Sequence, residues 1–138
     1  MRLLEELKHL DLNPGSFIVV GSGILEVLGI RDAIDIDVIV DPRGLRKLAT
    51  AGWAQNDALR GKQVLQHGRF EASTTWTSPE GELTIRELAP HSIDVDGYLF
   101  IGLPFLLRWK KALRRPKDLT DIGLIEAYLK TSGEVNES

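Results

Sequence analysis

Asp35 and Asp37 are the residues of this chain best placed to do chemistry. They alternate with apolar residues in Asp35-Ile36-Asp37-Val38-Ile39-Val40. On a strand, where side chains alternate, both carboxylates leave the same face about 7 Å apart along the chain. Two like charges so close call for a cation. Ligation by carboxylate oxygen alone suits Mg²⁺, which takes one or two carboxylates and fills its shell with water and substrate phosphates. A solvated strand face is the plainer reading of the pair, but Ile36, Val38, Ile39 and Val40 mark an interior strand, where uncompensated charge is costly. Gly21-Ser22-Gly23 forms a second candidate. It ends the apolar run Phe17-Ile18-Val19-Val20 and opens a helix whose free N–H groups suit an anion such as phosphate. Taken alone, Gly-Ser at such a place reads equally as a tight turn with an N-capping serine.

The elements that must hold these residues follow from spacing. Leu3, Leu4, Leu7 and Leu10 give a first amphipathic helix, ended near Asn13-Pro14-Gly15. Phe17 to Val20 is a buried strand, Ile24 to Ile30 a helix stopped at Gly29, Asp35 to Val40 a second strand closed by Asp41-Pro42, and Arg43 to Ala51 a short helix. Strand character continues over Lys62 to Trp76, interrupted near His67-Gly68, and over Glu82 to Leu88, with a hairpin signal at Ser78-Pro79-Glu80-Gly81. Asp94-Val95-Asp96-Gly97 reads as a turn before a brief strand, Leu99 to Ile101. Pro104 opens a helix that Pro116 interrupts, and Leu119 to Leu129 forms a last helix. The order predicts an α+β domain with a mixed sheet and helices gathered mainly on one face, a single unit over residues 1–130 with a flexible tail over 131–138.

Composition narrows the function classes. Seventeen Lys+Arg against twenty Asp+Glu give a net charge of −3, so a polyanion would have to bind at a local basic patch. There is no cysteine, which excludes disulfides, thiolate nucleophiles and cysteine zinc sites and suits a reducing cytoplasm. No apolar stretch approaches the ~20 residues that span a bilayer, and Met1-Arg2-Leu3-Leu4 runs into Glu5-Glu6 and not into a secretory core. The expectation is a cytoplasmic chain without a membrane partner. Trp53, Trp76 and Trp109 read as core or groove walls in preference to base-stacking platforms, since nothing in the sequence places them together.

Val20-Gly21-Ser22-Gly23 followed by Asp35-Ile36-Asp37-Val38 resembles the signature of the nucleotidyltransferase superfamily that includes DNA polymerase β and the aminoglycoside nucleotidyltransferases. The longer pattern through Gly21, Ser22, Leu25, Gly29, Arg31, Asp35 and Asp37 looks most like small stand-alone members and the abortive-infection-type toxins of toxin–antitoxin systems. Trp109-Lys110, then Arg115-Pro116-Lys117-Asp118-Leu119-Thr120-Asp121, is similar to a segment near the end of many such proteins. The resemblance spans roughly residues 17 to 129. It implies transfer of a nucleoside monophosphate from an NTP to an acceptor hydroxyl, with Mg²⁺ or Mn²⁺ as cofactor. Asp35 and Asp37 would hold the metal, and Gly21, Ser22, Arg31, Lys110, Lys117 and Asp118 would bind the nucleotide. The acceptor is left open among small molecules, tRNA and protein, with a homodimer or a partner protein completing its site.

The family's third carboxylate commonly stands in an acid-apolar-apolar tripeptide on a later strand, and none stands here. The expected strand Glu82 to Leu88 offers Glu82 or Glu87, on opposite faces. Glu87 is preferred as the third catalytic acid, because it shares a face with Leu83 and Ile85, whose apolar setting would lift a carboxyl toward a base's range. Glu82 abuts the turn at Gly81, and Asp94 and Asp96 read first as turn residues. Lys110, Arg115 and Lys117 form a basic group, with Asp118 and Asp121 on one helical face as caps or ion-pair partners. Two further readings stand beside the transferase. One is a nucleotide-binding or regulatory module of the same fold without turnover, which the missing tripeptide favours. The other, weaker, is a phosphatase of the haloacid dehalogenase type built on Asp35 and Asp37 with Lys117.

Overall fold

The central pair of strands is the most apolar part of the chain. In a computed structural model describing residues 2–10, 12–56 and 62–137, β1 (Phe17–Val20) is buried at every position, and β2 (Ile36–Val40) is buried at all but Asp37. They pair antiparallel, with Val20 opposite Asp37. Around them lie β3 (Ala54–Gln55), β4 (Leu65–His67), β5 (Phe70–Ser73), β8 (Ser92–Val95) and β9 (Tyr98–Ile101), in the order β3-β4-β5-β2-β1-β9-β8. The sheet is mixed: β9 runs parallel to β1 and β5 parallel to β2, while the remaining pairs are antiparallel. A separate hairpin joins β6 (Thr75–Ser78) to β7 (Gly81–Thr84), as the turn signal between them predicts. Helices α1 (Arg2–Lys8), α2 (Gly23–Val27), α3 (Pro42–Thr50), α4 (Ile85–Leu88), α5 (Leu103–Leu113) and α6 (Pro116–Glu137) complete an α+β chain.

Each helix docks through its apolar residues. Leu3 and Leu7 of α1, Ile24 and Leu25 of α2, Leu48 of α3 and Leu106 of α5 are fully or almost fully buried. Each such side chain contributes about 2 kcal/mol by leaving water. Gly23 permits the closest approach, since a Cβ there would meet Val19 Cγ1 at 2.4 Å.

Five features differ from the spacing-based expectation. Residues 62–76 do not make one interrupted strand but a β4–β5 hairpin and the start of β6, because the chain reverses at Gly68. The expected strand from Glu82 to Leu88 ends at Thr84. There Thr84 and Glu87 close a capping box that starts α4: the Glu87 carboxylate accepts from the Thr84 backbone N–H at 3.0 Å. Asp96-Gly97 joins two strands and does not merely precede one, so β8 exists where only a turn was expected. Pro116 does not interrupt a helix but opens α6 after Arg114, whose left-handed backbone ends α5. Helix α6 continues to Glu137, through residues expected to form a tail; Met1 and Ser138 lie outside the described residues.

Candidate functional site

The motif residues meet at the ends of β1, β2 and β5. Asp37 and Glu71 are register partners on the parallel pair β2–β5, so their side chains stand side by side on one face of the sheet. Asp35 was expected to begin the second strand but lies in the bend just before β2, exposed, where strand alternation does not fix its direction. On the other side of Asp37, β1 ends in Gly21, whose φ of +65° is a left-handed value that an L side chain adopts at a cost. A Cβ at this position would lie 3.3 Å from Asp37 Oδ2. The glycine therefore brings its backbone against the carboxylate. Asp35, Asp37 and Glu71 all line a pocket of about 430 Å³, within the usual range for small-molecule sites.

The helix after Gly21 is shorter than expected. Helix α2 has five residues, so its macrodipole is small and its backbone N–H groups are the larger resource for an anion. It stops because Gly29 (φ +76°) closes a Schellman cap, with its N–H on Glu26 O and the Ile30 N–H on Leu25 O. This reversal turns the chain back so that Arg31 reaches the start of its own helix. The Arg31 guanidinium donates to Ser22 Oγ at 2.9 Å. The spacing of Gly21, Ser22, Leu25, Gly29 and Arg31 thus has a physical meaning: turn, polar tip, core anchor, cap and returning cation.

Arg31 also donates two 2.6 Å bonds to Asp121 of α6. Asp121 in turn pairs with Lys110 of α5 at 2.9 Å, and Lys110 lies 3.6 Å from Asp118. Asp118, wholly buried, accepts from the Arg115 backbone N–H, Nε and Nη2 at 2.9, 2.7 and 3.1 Å, capping α6 and clamping that guanidinium at once. Burial works to raise the Asp118 and Asp121 carboxyls, but the hydrogen bonds from Arg115 to the first and from Arg31 and Lys110 to the second outweigh it. Both are held below the usual carboxylate range.

Among the expected binding residues, Gly21, Ser22, Arg31, Lys110 and Lys117 line the pocket, and Asp118 does not; it acts behind Arg115 and Lys110. Lys110 is 3% exposed and held between two carboxylates, so it is not the mobile point charge that the sequence suggested. Lys117 is exposed and makes no hydrogen bond or ion pair with another described residue. Glu87, expected as the third acid, stands apart from Asp35 and Asp37. Glu87 is an exposed helix cap and does not line the pocket; Glu82 is tied to Lys62 at 2.8 Å, which with hydroxyl donors holds its carboxyl down to about 2. Glu71 is the acid that the sheet register sets beside Asp37. Its sequence signal was Phe70-Glu71-Ala72, one acid between apolar neighbours on a strand.

Trp76 and Trp109, read as unrelated, both line the pocket with ring centroids 4.6 Å apart. Trp53 packs on His67 and Phe70 and does not. Among the described residues no helix is long and apolar enough to cross a membrane. Compared with protein-family models, curated proteins and solved structures, the chain matches none of them.

Proposed function

We propose that this chain is a metal-dependent nucleotidyltransferase, moving a nucleoside monophosphate from an NTP to an acceptor hydroxyl on a nucleotidyltransferase-like sheet. The observation that carries the reading is the in-register pair Asp37–Glu71 beside the left-handed Gly21, with Asp35 lining the same pocket. No group of three or more carboxylates or imidazoles among the described residues is arranged to hold an ion by itself. The donors at hand are all carboxylate oxygens, which fits a cation that takes its remaining ligands from water and phosphate. Asp35 and Asp37 would hold Mg²⁺ or Mn²⁺, with Glu71 beside them. When bound, the cation neutralises phosphate charge and favours the ionised acceptor oxygen.

The chain's own groups divide the remaining work. The backbone at Gly21-Ser22, Arg31 and Lys117 grip the triphosphate tail. Glu71 accepts the acceptor's proton as its oxygen bonds to the α-phosphorus. The bond from that phosphorus to the bridging oxygen breaks, and pyrophosphate leaves toward the cations. A pocket of this size holds a nucleotide, so the acceptor approaches from outside, past the exposed Ile34. A labelled-NTP transfer assay with Mg²⁺ or Mn²⁺ against protein, tRNA and small-molecule pools tests the reading. Label transferred by the parent supports it. NTP binding without transfer to any pool identifies a binding module of the same architecture.

A further inference from the structure

Phosphate and metal chemistry uses cations, N–H donors and hard oxygens, yet a large part of the pocket is none of these. Trp76, Trp109 and Leu113 line it together with Ile34, and Ile34 is 86% exposed. Trp109 is half-buried and held in place. Its ring packs on Trp76 at an interplanar angle of 30°, its Nε1–H donates to Thr77 O at 3.0 Å, and the Arg115 guanidinium carbon lies 5.4 Å from its centroid. Arg115 cannot swing freely either, because buried Asp118 holds it through Nε and Nη2. Its side chain nevertheless remains 42% exposed and lines the pocket. An indole and a planar cation, both immobilised before any ligand arrives, form a stacking surface that loses little side-chain entropy on binding.

Resting on the nucleotidyltransferase reading, we infer that Trp109 and Arg115 form the wall against which the base of the bound nucleoside triphosphate stacks. Aromatic side chains and arginine planes are the usual partners of an unstacked base, and such stacking is tolerant of base identity. The wall therefore selects a nucleotide over a bare polyphosphate. It explains why aromatic surface shares a pocket with the carboxylates.

The test uses the full chain carrying Trp53→Phe, which removes the one tryptophan outside the pocket and leaves Trp76 and Trp109 as reporters. With Mg²⁺ present and no acceptor, each of the four ribonucleoside triphosphates and inorganic tripolyphosphate are titrated by tryptophan emission and by calorimetry. Nucleoside triphosphate is expected to quench the emission and to bind at least about tenfold more tightly than tripolyphosphate, which leaves emission unchanged. Arg115→Lys keeps the charge without the plane and should shrink that affinity ratio several-fold. A ratio unchanged in Arg115→Lys removes Arg115 from the wall. Equal affinities with unchanged emission overturn the wall while leaving the transferase reading standing. Absence of binding by either ligand removes the nucleotide site itself, and the wall falls with it.

Discussion

Two arginine–carboxylate clusters hold this fold together, and they use the same chemistry to different ends. In the first, Arg69 at the start of β5 is saturated: it donates to both oxygens of Glu26 at 2.8 Å, to Glu6 and to the Ala33 carbonyl. One cation serves two carboxylates, tying α1, α2 and the loop before β2 to the sheet, and none of Arg69, Glu6 and Glu26 lines the large pocket. In the second, Arg31, Lys110 and Arg115 share only Asp118 and Asp121, and all three cations line that pocket. A cluster with acid in excess is finished as it stands. The second cluster has cation in excess within itself, and its cations face a cavity that Asp35, Asp37 and Glu71 also line. The difference is that one cluster closes on itself inside the fold, whereas the other presents its cations to a cavity.

Breaking the acid side of the pocket has the largest expected effect. Glu71→Gln should lower nucleotidyl transfer by at least ~10²-fold, the low end for a lost general base, with NTP affinity in calorimetry close to that of the parent. Breaking the finished cluster should act on stability instead. Arg69→Met leaves Glu26, 7% exposed, without its cation, and chemical denaturation should show a loss of about 3 kcal/mol.

The same cluster makes a pH prediction. The Arg69 hydrogen bonds hold the Glu26 carboxyl down to about 2, below the 4.5 of an unfolded chain. A carboxyl with a lowered folded pKa stabilises fully above its unfolded value, and the contribution disappears as protons bind the folded state. Stability should therefore fall from about pH 4.5 toward about pH 2 in the parent. In Arg69→Met that part of the slope should be missing, as thermal melts across this range would show.

Arg31→Ala sits between the two clusters in effect. It removes a pocket-lining cation and one of the two partners of buried Asp121, so on the proposed reading NTP affinity should drop about tenfold while stability falls by only about 1 to 2 kcal/mol, because Lys110 remains. The smallest effect belongs to the helix cap: Glu87→Ala should cost about 0.5 to 1 kcal/mol through the lost capping box.

Much of this was legible in the sequence where local rules suffice. The apolar runs of β1 and β2, the turn at Ser78 to Gly81 and the pair Asp35 and Asp37 all follow from alternation and punctuation within a few residues. The pairing of Glu71 with Asp37 was not, because it lies in register. Nothing near Phe70-Glu71-Ala72 tells that β5 will lie parallel to β2 with Glu71 beside Asp37, a contact between residues far apart in the chain. Glu87 misled for the opposite reason. Strand alternation was extended across Thr84-Ile85-Arg86-Glu87, although Thr-x-x-Glu is itself a helix-start signal, and the local capping box won over the period-two pattern. The joining of Trp76 to Trp109 is likewise tertiary, made by packing α5 against the β6–β7 hairpin.

The most direct test of the central claim, that Glu71 and not Glu87 completes the carboxylate site, is a side-by-side labelled-NTP transfer assay of Glu71→Gln and Glu87→Gln against the parent, with folding of each checked by thermal melt. The account predicts that Glu71→Gln loses at least ~10²-fold in transfer with its melting point nearly unchanged, while Glu87→Gln, which can still cap α4, transfers like the parent. Full activity in Glu71→Gln, or a matching loss in a well-folded Glu87→Gln, would contradict it.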